Sequence, residues 1–162
     1  MAVVPSVNKS VWTTPSDLEI VSTRTFDAPR RLVFAAFTDP AHVPNWLLGP
    51  DGWEMPICEI DLRVGGKWRY VWRNSTDGRE FGMHGVYREI DAPAKIVNTE
   101  VFEGSEAVNT LELSELSGRT LMVHTMLMPS IEARDGALAT GMTDGADISY
   151  DRLESYLASV AQ

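Results

Sequence analysis

The segment Lys67-Trp68-Arg69-Tyr70-Val71-Trp72-Arg73 puts Trp68, Tyr70 and Trp72 at every second position, with Lys67, Arg69 and Arg73 between them. Successive strand side chains point to opposite faces, so in a strand the three aromatics share one side and the three cations the other. On a helix the same residues would scatter around the axis. The segment therefore requires a sheet with one buried and one wet face, which antiparallel sheets provide.

The surrounding chain supplies such a sheet. Leu18 to Phe26, rich in β-branched residues, reads as a strand. Asp27-Ala28-Pro29 opens a helix that carries Leu32, Val33, Phe34, Ala36 and Phe37 and stops at Asp39-Pro40. A short second helix is expected over Ala41 to Trp46, ended by Gly49-Pro50. Strands follow at Met55 to Leu62, Lys67 to Arg73, Glu80 to Ile90 and Lys95 to Phe102. Val108 to Leu116 and Arg119 to Met128 form a hairpin about Ser117-Gly118.

The period then changes. Ser130 to Thr140 reads as a shorter helical turn, and Gly141 as a break. Met142, Ala146, Ser149, Tyr150, Leu153, Leu157 and Val160 recur at helical spacing, which predicts a long amphipathic C-terminal helix. Residues 1–16 show no periodicity and read as a flexible lead-in from which Trp12 is free to dock on the body. Residues 17–162 then make one α+β domain.

At 162 residues with 44% hydrophobic side chains, the chain can bury a core without metal or disulfide staples. A formal charge of −9 disfavours nucleic acid as a partner. No long apolar run suits membrane insertion. Met1 to Thr14 lacks the apolar core of a signal peptide, so a cytoplasmic location is the default expectation. The single cysteine, Cys58, lies in an apolar stretch and reads as a packed thiol. No Gly-rich phosphate loop, no nucleophile elbow and no metal-ligand spacing of His or Cys occurs, so no cofactor or metal is expected.

Phe26-Asp27-Ala28-Pro29, followed by Val33-Phe34 and Phe37-Thr38-Asp39-Pro40, resembles the opening of the SRPBCC, or START-like, superfamily. Asp61 to Gly66, Gly85 to Ile90 and Gly141 to Gly145 are similar to its bacterial branch related to the activator of the heat-shock-protein-90 ATPase. The resemblance implies the helix-grip fold: a curved antiparallel sheet gripping the C-terminal helix, with an apolar cavity between. It also implies three functional classes. The first is binding of a small apolar or amphipathic molecule, aromatic or lipid-like. The second is a cyclase- or lyase-type enzyme. The third is a chaperone-interacting module in the stress response, although the founding activators use sequence outside this domain. A monomer or homodimer is expected.

The residues fill in this frame. The expected ligand-binding walls are Trp68, Tyr70, Trp72, His84, Leu113, Met122, His124, Met126, Met142 and Ala146; a filled core is the competing reading of the aromatic face. A two-residue turn at Ser117-Gly118 sets Leu113 opposite Met122 and Leu111 opposite His124, so His124 and Met126 share the inner face. A five-residue loop over Asn74 to Gly78 would set Trp68 opposite His84 and turn that histidine inward; a four-residue loop would reverse it. Glu100 shares a strand face with Ile96, Asn98 and Phe102. Inward, it would be a buried carboxyl and a general-base candidate; near a sheet edge it would reach water. His84, His124 and Glu100 are the catalytic candidates. At Ala146 the resembling branch often has Trp, so the pocket should be wider there unless a neighbour such as Trp46 or Trp53 fills it.

Overall fold

The computed structural model describes residues 9–161. In chain order its strands are β1 (Ser10–Thr13), β2 (Glu19–Phe26), β3 (Trp53–Ile60), β4 (Lys67–Asn74), β5 (Glu80–Asp91), β6 (Lys95–Phe102), β7 (Ser105–Leu116) and β8 (Arg119–Leu127). Helix α1 (Arg30–Thr38) and a 3-10 turn at Val43–Asn45 lie between β2 and β3; α2 (Ile131–Ala139) and α3 (Met142–Val160) close the chain. Every pairing is antiparallel, in the order β1-β2-β8-β7-β6-β5-β4-β3. This is the α+β helix-grip architecture, with α3 packed against the inner sheet face through Tyr150, Leu153 and Leu157.

Local chemistry accounts for the ends of these elements. Ser130 caps α2 by accepting from the Ala133 N–H at 3.0 Å. Gly141, at φ 80°, takes the left-handed turn that separates α2 from α3. Pro56 sits on β3, an edge strand, where a missing donor is tolerated and the β3–β4 register shifts. That shift and the one between Tyr87 and Glu89 add local twist to the sheet.

The expected alternation of β4 holds. Trp68 and Trp72 are buried and Tyr70 half-buried, while Arg69 and Arg73 turn outward to Glu59 and Glu54. Two expectations are corrected. Residues 10–13 are not lead-in: β1 pairs with β2, and the Trp12 indole N–H donates to Asp147 of α3 at 2.9 Å. Residues 1–8 of that segment lie outside the described residues. His84 is not inward. Asn74 N–H donates to the Arg79 carbonyl at 2.8 Å, which leaves four residues in the loop, and His84 stands opposite Arg69 on the exposed outer face.

The rest of the core divides along α3. Phe26, Val33, Leu113, Met122, Leu153 and Leu157 pack solidly around its C-terminal half. Arg24, 1% exposed, reaches from β2 to Asp151 at 2.8 Å. Around the N-terminal half the packing opens.

Candidate functional site

A cavity of about 220 Å³ lies between the inner sheet face and the first half of α3. Trp68 and Tyr70 enter it from β4, Tyr87 from β5, Trp12 from β1 and Trp46 from the segment after α1. Helix α3 contributes Met142, Ala146, Ser149 and Tyr150, which its pitch stacks on one side. Trp46 is held by donating to the Ala36 carbonyl at 2.8 Å. Arg152 clamps the same segment by donating to the carbonyls of Trp46 and Gly49 at 3.1 and 2.9 Å.

Polar groups occupy the sheet side: Asn98 and Glu100 of β6, Asn109 of β7 and His124 of β8. Their register explains the grouping. Asn98 lies opposite Asn109, Asn109 opposite Met126, and Leu111 opposite His124, and cross-strand partners share a face. Glu100, two residues from Asn98 on the same face of β6, is likewise inward, and β6 lies in the middle of the sheet rather than at an edge.

The electrostatics follow from burial. The Asn109 side-chain N–H donates to Glu100 Oε1 at 3.1 Å, and Asn109 Oδ1 has no partner. Burial pushes the Glu100 carboxyl above the usual range, and the Asn109 bond draws it partly back. Burial lowers His124 to about 4, so the imidazole is neutral near pH 7; its ring makes no hydrogen bond to a described residue. The Tyr70 and Tyr87 phenols are raised by burial and stay protonated. Cys58, opposite Tyr70, is pushed up to about 11 by burial and by Asp39. Among the described residues no three His, Cys, Asp or Glu side chains are grouped to hold a metal ion.

Residues 27–158 match the family model described as activator of Hsp90 ATPase homolog 1-like protein. The chain belongs to that family. Solved structures agree on the fold. A protein from Rhodobacter sphaeroides is 28% identical with a TM-score of 0.87, over 93% of this chain and 99% of that one. A protein from Nitrosomonas europaea is 22% identical with a TM-score of 0.81, over 91% and 99%. The AHSA1-like protein from Aeromonas hydrophila is 19% identical with a TM-score of 0.70, over 86% and 94%. No curated protein matches the chain.

In this activator-like protein the structure separates the residues expected at the site. Trp68, Tyr70, His124, Met126, Met142, Ala146 and Glu100 line one cavity. Leu113 and Met122 face inward but belong to the solid core, because β7 and β8 carry them past the cavity towards the far half of α3. Trp72 lies beyond the other end, where its indole donates to the Leu47 carbonyl at 2.7 Å and its ring stacks on Phe81. There it lines a more open recess of about 380 Å³, which shares Leu47, Met142, Ala146 and Ser149 with the cavity. Ala146 thus stands between two spaces, with Trp46 on the inner wall and Trp53 on the outer.

Asn109 was the polar group that sequence reasoning missed. It was readable, since it stands two residues before inward Leu111 on the same strand. Trp12 carried no comparable signal.

Proposed function

We propose that the protein binds a small apolar or amphipathic molecule, aromatic in preference, between the sheet and α3. The observation that carries this reading is the void of about 220 Å³ walled by indole, phenol and thioether side chains. An apolar cavity of about 150 Å³ admits benzene, so this one suits a somewhat larger ring system. The walls contributed by Met126 and Met142 can adjust to varied shapes.

Glu100 supports a second reading, a cyclase- or lyase-type enzyme. It is a buried carboxyl in the cavity, poised to accept a proton from a bound substrate. Family membership alone supports the chaperone-interacting reading.

The test is mass spectrometry of protein purified under native conditions. A recurrent small molecule released on denaturation supports binding, and its conversion during incubation supports catalysis. Repeated recovery of ligand-free protein that also binds no aromatic probe would remove both readings.

A further inference from the structure

The polar groups of the cavity are biased in one direction. The Asn98 amide spends a donor on the Thr99 carbonyl at 3.0 Å, and its oxygen accepts no hydrogen bond from the described residues. Asn109 spends a donor on Glu100, and its oxygen too has none. Glu100 accepts only that one bond. Three acceptors from adjacent strand positions therefore have capacity to spare.

Among the described residues no Lys or Arg lines the cavity. The buried Arg24 guanidinium, 5.8 Å from the ring centroid of the wall residue Tyr150, donates to Asp151 and Ser10 and keeps only its Nε unpartnered, while Arg152 donates to the Trp46 and Gly49 carbonyls. The same cavity is lined by the aromatic side chains of Trp12, Trp46, Trp68, Tyr70 and Tyr87, a class whose ring faces attract cations. An anionic ligand would meet a carboxyl group and no counter-charge.

Building on the binding reading above, we propose that the ligand is an amphipathic amine: an apolar or aromatic body with a protonated amine head. An ammonium group offers only donors, and Glu100, Asn98 and Asn109 present oxygens to receive them. Its charge also supplies the partner that a buried Glu100 lacks. The protein's net charge of −9 further favours the encounter.

The test uses the full chain and three probes sharing one ring system: naphthylmethylamine, naphthylmethanol and naphthoate, titrated by calorimetry at neutral pH. The amine should bind at least about tenfold more tightly than the alcohol, because charge-assisted hydrogen bonds exceed neutral ones. Naphthoate should bind most weakly. In Glu100→Gln the amine should lose its advantage over the alcohol, and an unchanged far-ultraviolet circular-dichroism spectrum shows that the fold is retained. Equal or tighter binding of the alcohol or naphthoate would overturn the amine inference and leave the cavity reading standing. So would an amine preference that survives Glu100→Gln. Failure of all three probes would overturn both.

Discussion

The Trp68 indole N–H donates to the Thr99 carbonyl at 3.0 Å, and this bond occupies the space where a side chain on Gly85 would begin. A Cβ built on Gly85 would lie 1.8 Å from the Thr99 oxygen and 2.6 Å from Trp68 Nε1. The glycine is what leaves room for the Trp68 indole to bond across to β6.

Gly85→Ala is therefore expected to destabilise the fold by about 3 kcal/mol, combining overpacking with loss of the Trp68 hydrogen bond. Gly136→Ala is the control. It lies inside α2 with open space around it and should stabilise by up to about 1 kcal/mol. Denaturant titration of the two variants checks both signs. An unchanged midpoint for Gly85→Ala would mean that Trp68 can be repositioned without cost.

His124 predicts an acid-side loss of stability. Its folded pKa of about 4 lies below its unfolded value of 6.5, so the neutral ring favours the folded state. That contribution is complete above the unfolded pKa and is lost as pH falls towards about 4, reaching about 3 kcal/mol. His124→Phe should flatten this slope between those pH values. A slope unchanged in the variant would assign the loss to other groups.

Glu100 predicts the opposite pH sense. Its folded pKa is raised, so the protonated carboxyl favours the folded state at low pH, and that advantage is lost as pH rises through the folded pKa. Glu100→Gln should raise the thermal midpoint at neutral pH and leave it nearly unchanged near pH 4. A midpoint lowered at neutral pH would show that the ionised carboxylate is needed to hold Asn109.

How much of this was legible from residues alone varied with the kind of constraint. Ser117 and Gly118 adopt φ 55° and 77°, as a two-residue hairpin requires, so the inward face of β7 and β8 followed from counting outwards. Glu103-Gly104 makes a similar turn at φ 50° and 79°, but it carries a weaker signature, and β7 begins three residues before the expected Val108. His84 hinged on one residue. Asn-Ser-Thr-Asp-Gly suits a loop of four or five, and only the hydrogen bond from Asn74 to Arg79 decides which. Glu100 depended on strand order, which no residue of β6 encodes by itself. Trp12 depended on Asp147, a partner 135 positions away.

Ala146 gives a prediction about space. Because Ala146 borders both the cavity and the outer recess, Ala146→Trp should place an indole at the wall they share. Affinity for naphthylmethylamine should fall at least about tenfold, since the indole takes volume the probe needs. The recess offers room for the ring, so the thermal midpoint should stay within a few degrees. Unchanged affinity with a midpoint lowered by the about 1–3 kcal/mol of an overpacked core would place the binding space elsewhere.

The strand order has a kinetic consequence. From β3 to β8 each strand pairs with the next in the chain, whereas β2 must find β8: Glu19 meets Leu127 and Phe26 meets Thr120. Closing roughly a hundred residues of chain costs entropy before any contact repays it, and such non-local pairings form slowly. The meander should therefore assemble first during refolding and the β1–β2 pair dock last, so that pulse-labelled amides of β6 and β7 gain protection before those of β2. The strands bearing Asn98, Glu100 and Asn109 all lie in the early-forming part. Trp12, arriving with β1, would be the last wall to close over them.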